Sequence, residues 1–382
     1  MDIRSRLVAP VLGLGQIVAF ASSYYLLGVL ADPIAAELDI PSGWLFLALS
    51  AAFLVSAILT PAAGRWLERH GGRRMQGWAH VVFAAALLLL AAAPSPAVAV
   101  IAIVGLGVGM AIGLYSSAFA ILVEIHGQGA RPYITQVAML GALGGALGWP
   151  TSRMLLQAFD WRLACVVWAS AHLLVCLPLT VFLLPKRSPR PAEPEGARGR
   201  LRWDRRMIQI AALFAGGWVV ATAMGAHLPR LLEGLGMTPA RAAWAAGLMG
   251  ASALAARLFD LLVLHRSHPV LTVRLASLFH PLGAAVAVFG GAKLAPLLAV
   301  GQGAGNGLLS TASGVLPLHV FGPERYAVRQ AMILTPARYF QAVAPAAWAL
   351  TIDASPLLAL ALSSLICLGV CALTFGLAPA GE

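Results

Sequence analysis

Gly64-Arg65-Trp66-Leu67-Glu68-Arg69-His70-Gly71-Gly72-Arg73-Arg74 stands between two long apolar runs, 43–66 and 76–93. Each run is close to the ~20 residues that carry a helix across a ~30 Å hydrocarbon layer. The charges crowd into the short stretch between them, as expected where a chain leaves lipid, turns and re-enters. Gly64 lets the incoming helix approach a neighbour closely, and Gly71 supports a sharp turn. Glu68, with Arg69, Arg73 and Arg74, has the composition of a charge latch.

The remaining sequence suits that setting. Of 382 residues, 60% are hydrophobic and 11% charged, and mean hydropathy is +0.83. A soluble domain carries roughly 25% charged residues, so most of this chain cannot keep a surface in water. Within lipid every backbone polar group needs an internal partner, which leaves helices or closed barrels. The apolar runs are continuous rather than alternating. An all-α membrane protein is therefore expected, with spans near 8–37, 43–66, 76–93, 97–124, 132–156 and 162–184, then 207–233, 240–264, 270–290, 295–320, 327–352 and 356–378.

Between the two sets of six lies PKRSPRPAEPEGARGRLRWDRR, residues 185–206, which reads as a solvated linker. The expected organisation is an N-terminal lobe (1–184), this linker, and a C-terminal lobe (207–382). Of 26 Lys and Arg, 19 fall in the N-terminus, the linker and the loops on the same side. Five fall in the opposite loops (Arg153, Arg162, Arg230, Arg241, Lys293), and Arg257 and Arg338 lie inside spans. The positive-inside bias then puts both termini and the linker in the cytoplasm. The same distribution argues against nucleic acid as the reason for a net charge of +11. The opening MDIRSR and its apolar run lack a small-residue cleavage site and read as a retained first span.

Enzyme chemistry finds no foothold. There is no P-loop, no nucleophile–base arrangement and no metal-ligand spacing at membrane depth. Cys165, Cys176, Cys367 and Cys371 read as small core residues. Neither a cofactor nor a metal is expected.

Every position of residues 64–74 fits G-x-x-x-[DE]-[RK]-x-G-x-[RK]-[RK], and here the chain resembles the major facilitator superfamily, whose signature this is. A shift of 197 residues lays Glu68-Arg69 over His265-Arg266, a degenerate second copy consistent with duplication. Tyr24-Tyr25, Gly28 and Pro33, before Leu38-Asp39-Ile40-Pro41, resemble the branch of monocarboxylate transporters and oxalate/formate exchangers, although the first-helix lysine of the animal members has no counterpart. Gly141, Gly145, Gly148 and Pro150 are loosely similar to the glycine-proline signature of proton-coupled drug exporters, without its adjacent Gly-Pro. The resemblance implies two pseudo-symmetric six-helix halves rocking around a midplane site. It further implies a monomer in a bacterial-type inner membrane, whose partners are the lipid bilayer and a small-molecule substrate. The preferred expectation is a small organic anion moved with protons or a counter-anion; the alternative is proton-coupled export of a neutral or lipophilic compound.

Ionisable residues deep in a span need a reason to be there. Arg338 sits near the middle of the eleventh span, among Leu334, Thr335, Gln341 and Ala342. Its guanidinium fork suits a carboxylate ligand or an acid on another helix. Arg257, in the eighth span, occupies the arginine of an Arg-x-x-x-Gly pattern whose glycine is Leu261 here. In the resembling relatives that arginine binds substrate carboxylate, and oxalate exchangers pair it with a cation in helix 11. Asp260 is three residues on and either holds Arg257 as a structural pair or serves as the proton-coupling carboxylate. Gln302, Asn306, Ser310 and Ser313 recur at helical spacing among Gly303, Gly305 and Gly307; the stripe lines a substrate path or joins helices. Helices 1, 4, 7 and 10 line the superfamily's cavity, which adds Gln16, Ser23, Tyr24, Trp218 and Thr222.

Overall fold

The computed structural model describes residues 3–186 and 201–377. Most of the expected linker, 187–200, lies outside the described residues. Among the described residues twelve helical segments follow one another. The first, α1, runs through Ile3–Ala19, a π-turn at Phe20–Tyr24 and Leu27–Glu37. Then come α2 (Ser42–His70), α3 (Gly72–Ala91), α4 (Pro96–Gly113 and Tyr115–His126) and α5 (Arg131–Ala158). The sixth, α6, joins Trp161–Ser170, a π-turn at Ala171–Cys176 and Leu177–Leu183. The second set is α7 (Arg205–Gly234), α8 (Pro239–Leu262), α9 (Pro269–Leu294), α10 (Pro296–Phe321), α11 (Tyr326–Ala354) and α12 (Pro356–Leu373). Among the described residues, nine stretches are long and apolar enough to cross a membrane.

Two compact units emerge. One comprises the described residues up to Trp203 with Pro323–Met332; the other comprises Asp204–Gly322 with the described residues from Ile333. The helix α11 therefore begins in the first unit and continues in the second. Each unit repeats one packing plan. In the first, α2 and α3 flank α4, α3 meets α6, and α1 meets α5 and α6. In the second, α8 and α9 flank α10, α9 meets α12, and α7 meets α12, with Gln341 of α11 bonded to Thr222 of α7. Glycines set the closest approaches. A Cβ at Gly107 of α4 would run into the backbone of Ala52 in α2, and one at Gly303 or Gly307 of α10 into that of Met249 or Ala253 in α8.

The α10 glycines are thus packing residues. Gly307→Leu should cost at least about 1–3 kcal/mol through overpacking and lower the melting temperature of detergent-solubilised protein. Gly250→Ala, which meets nothing within 4 Å, should leave that temperature unchanged or slightly raised.

Where the helices break, side chains replace lost backbone bonds, as lipid requires. At Leu114 (φ −83°, ψ −171°) α4 is interrupted. The Gly113 carbonyl accepts instead from Gln16 Nε2 at 2.7 Å and Gln76 Nε2 at 3.3 Å. Ser117 Oγ donates to the Ile112 carbonyl at 2.6 Å. In α1, Ser23 Oγ donates to the Ala19 carbonyl at 2.5 Å, competing with the helix ladder at the π-turn. Gln16 and Ser23 are fully buried, and each donates to a backbone carbonyl at a helix break.

The 64–74 stretch is less of a loop than its composition suggests. α2 continues through it to His70, whose ring stacks on Trp66 at 4.6 Å. Gly71 alone turns the chain, at φ +83°, and α3 starts at the next residue.

Candidate functional site

Polar chemistry in the second unit gathers along α10. Four of its glycines, Gly301, Gly303, Gly305 and Gly307, are spent on neighbouring helices, so its side-chain-bearing positions face elsewhere. Gln302 and Asn306, four residues apart, line a small cavity with Gly217, Val220 and Ala221 of α7, Ser277 and His280 of α9, and Cys367 of α12. Of these, His280 is anchored by a hydrogen bond between its Nε2 and Ser363 Oγ of α12 at 2.8 Å. His280 Nδ1, Gln302 Oε1 and Asn306 Oδ1 are buried with no hydrogen-bond partner. A buried polar atom of this kind costs about 1–3 kcal/mol, so the cavity is built to receive hydrogen bonds.

One turn beyond Asn306, Ser310 accepts from Arg257 Nε at 3.0 Å and itself donates to the Gly307 carbonyl at 2.8 Å. Arg257 is 7% exposed and Asp260 fully buried. Arg257 bonds to α10, and Asp260 Oδ1 accepts from Thr272 Oγ1 of α9 at 3.3 Å. Ser313 closes on the Ser310 carbonyl at 2.7 Å. The stripe read from the sequence therefore divides. Its serines hold backbone and Arg257, and its two amides face the cavity.

Arg338 is partly buried in α11. Gln341, one turn later on the same side, donates from Nε2 to Thr222 Oγ1 of α7 at 3.1 Å. Thr222 is thus a partner of α11, one turn along from the partly buried Trp218. Tyr24 lies in the other unit. It is 38% exposed and packs with Tyr25 and Phe53, at ring distances of 5.0 and 5.3 Å.

The charged signature is also in the first unit. Glu68 Oε1 accepts from the backbone N–H of Val328 at 3.4 Å, in the first turn of α11. The first N–H groups of a helix have no intrahelical acceptor and carry its positive dipole end. Gly64 makes the approach possible, since a Cβ there would stand 2.8 Å from the Ala327 carbonyl oxygen. Glu68 is partly buried and Arg69 exposed, while Arg73 and Arg74 occupy the first turn of α3.

Hydropathy does not single out three buried histidines, His80, His172 and His280. The metal-ligand grouping not expected from spacing along the chain arises across it, and Cys176 is part of it. His80, His172 and Cys176 place ligand atoms within 4.8 Å of one another. The available signal was an imidazole in an apolar span, with His172 and Cys176 four residues apart.

The profile of the Major Facilitator Superfamily matches residues 12–345. No curated protein sequence matches. Among solved structures, the outward conformation of the transporter FucP, which a second structure describes as the fucose:proton symporter of E. coli, has TM-score 0.79 and 14% identity over 99% of both chains. The human organic anion transporter MFSD10 (TETRAN) has TM-score 0.72 and 15% identity over 98% of this chain and 100% of that one. The proton:xylose symporter XylE, bound to 6-bromo-6-deoxy-D-glucose, has TM-score 0.75 and 12% identity over 98% and 96%. At these identities the likeness is one of fold.

Proposed function

The chain belongs to the Major Facilitator Superfamily, and on that premise we propose that this transporter moves a small organic anion of the carboxylate type by alternating access, coupled to protons or a counter-anion. The observation that carries the anion is Arg257, a guanidinium 7% exposed whose Nε rests on a neutral serine hydroxyl. A buried cation held by a neutral group retains affinity for an anion. Arg338 is the second grip, with Gln302, Asn306, Trp218 and Thr222 completing the recognition surface. Asp260 carries the coupling proton. The branch near monocarboxylate and oxalate/formate carriers, read from residues 24–41, fits this chemistry. So does the organic-anion label of one structural neighbour.

A second reading rests on the cavity itself. None of the side chains lining it is charged in the neutral state of His280, and its unpartnered groups suit hydroxyls. A neutral polyhydroxylated or lipophilic compound would fit such a lining, and two neighbours are described as symporters of a sugar with a proton. Ligand-induced stabilisation separates the readings, because a ligand at a hundred times its Kd adds about 2.7 kcal/mol. Mono- and dicarboxylates should raise the melting temperature, whereas neutral sugars and lipophilic cations should not. The reverse order would replace the anion with a neutral substrate or an exported drug.

We also propose an inner-membrane orientation with both termini and the 185–206 linker cytoplasmic, as the skew of basic residues favours. In intact cells an impermeant thiol reagent should label a cysteine introduced at residue 160 and spare one at residue 190. Labelling at 190 alone would invert the assignment.

A further inference from the structure

The first unit holds a cluster with no part in the proposed transport site. His172 and Cys176 lie on the π-turn of α6, both buried. His80 of α3 faces them, with its Nδ1 3.0 Å from His172 Nδ1. Two ligating nitrogens on one three-coordinate ion, with bonds of about 2 Å, stand roughly 3.5 Å apart, so the observed spacing needs to open by about half an ångström. The second nitrogen of His172 is already engaged, its Nε2 bonded to Ser22 Oγ at 2.9 Å. Phe83 stacks on the same ring at 5.0 Å and 16°. An imidazole whose far nitrogen is held and whose plane is fixed has the outer-sphere support typical of a metal ligand. His80 Nε2, on the far side of its ring, is buried with no hydrogen-bond partner.

We propose that His80, His172 and Cys176 form a binding site for a soft monovalent cation, Cu(I). Donor type and charge both select it. Two imidazoles and a thiolate are soft-to-borderline donors that favour Cu(I) or Zn(II). Binding follows Cys176–SH + Cu⁺ → Cys176–S–Cu + H⁺, with the two histidines neutral, so the loaded site has no net charge. Zn(II) would leave one positive charge. The nearest charged residues along the same helices are Asp32, Arg74 and Arg162, ten, six and ten residues from Ser22, His80 and His172. At 1.5 Å per residue these are about 9–15 Å away. An uncompensated charge at such depth is disfavoured. Three ligands also suffice for Cu(I), whereas structural Zn(II) takes four. The bound ion ties α3 to α6 behind α1.

The test uses the purified full-length protein under anaerobic, reducing conditions, with Cu(I) buffered by bicinchoninate. One Cu(I) per chain should be retained, with an absorption edge fitted by nitrogen and sulfur donors. Zn(II) should bind at least tenfold more weakly. Cys176→Ser, nearly isosteric, should lose at least a hundredfold in affinity, and Ser22→Ala about tenfold. Cys165→Ser, another buried cysteine of α6, should bind as the native chain does. Melting curves confirm that each variant is folded. The proposal falls if folded native protein yields all its copper to the chelator, if Cys176→Ser retains it, or if Zn(II) is preferred.

Discussion

Arg257→Gln and Arg338→Gln should each weaken binding of a small carboxylate by roughly ten- to over a hundredfold. Each removes a charge-assisted interaction worth about 1.5–3 kcal/mol. Arg338→Lys should recover only part of the loss, since an ammonium cannot reproduce the two-pronged guanidinium. Ser310→Ala supplies an internal control. It deletes the hydroxyl that fixes Arg257 Nε but keeps the charge, so it should weaken binding less than Arg257→Gln. Asp260→Asn should preserve exchange of bound substrate while abolishing proton-driven uptake. If Arg257 were only a structural residue, its loss would lower the melting temperature and leave surviving protein with normal affinity. Melting temperature and affinity measured on the same preparations decide between these outcomes. Unchanged anion affinity in both arginine variants would remove the anion from the proposal.

Substituting Glu68 should damage turnover far more than affinity. Glu68→Gln keeps the shape but removes the charge that meets the first turn of α11 at Val328. A carboxylate at a helix N-terminus contributes about 0.3–1 kcal/mol, and up to ~2 when partly buried. Losing it should shift the balance between conformations by about two- to thirtyfold without touching ligand. Gly64→Val should act in the same direction and more strongly, because its side chain must displace α11 at Ala327 and Ala331. Transport rate and equilibrium affinity in the same variants provide the measurement. Equal loss of both, in folded protein, would show that the contact serves something other than conformational balance.

How much of this was legible beforehand differs from helix to helix. The span boundaries at 43–66 and 76–93 follow from hydropathy, yet α2 runs on to His70 because charged residues extend a helix into water as readily as they form a loop. The break at Leu114 went unseen, since no proline marks it. It is stabilised by Gln16 and Gln76, 97 and 37 residues away from Gly113. The α10 stripe was legible as a stripe but not as two groups. Spacing within a helix identifies a face, whereas the neighbour against that face is a property of packing.

By itself the sequence determined the helical membrane class, the rough extent of the helices, the duplicated plan and the charged Gly64–Arg74 signature. These follow from local quantities: the apolar length needed to cross lipid, the obligation of backbone groups to bond within a segment, and the few residues that permit a tight turn. Only the tertiary structure decided that Arg257 rests on Ser310, that Gln302 and Asn306 open onto a cavity with His280, and that His80 meets His172 across 92 residues of chain. In a span flanked by other helices the alternative partner of a polar group is lipid. Its actual partner is therefore set by which helix packs there, and no property of the residue's own neighbours along the chain encodes that.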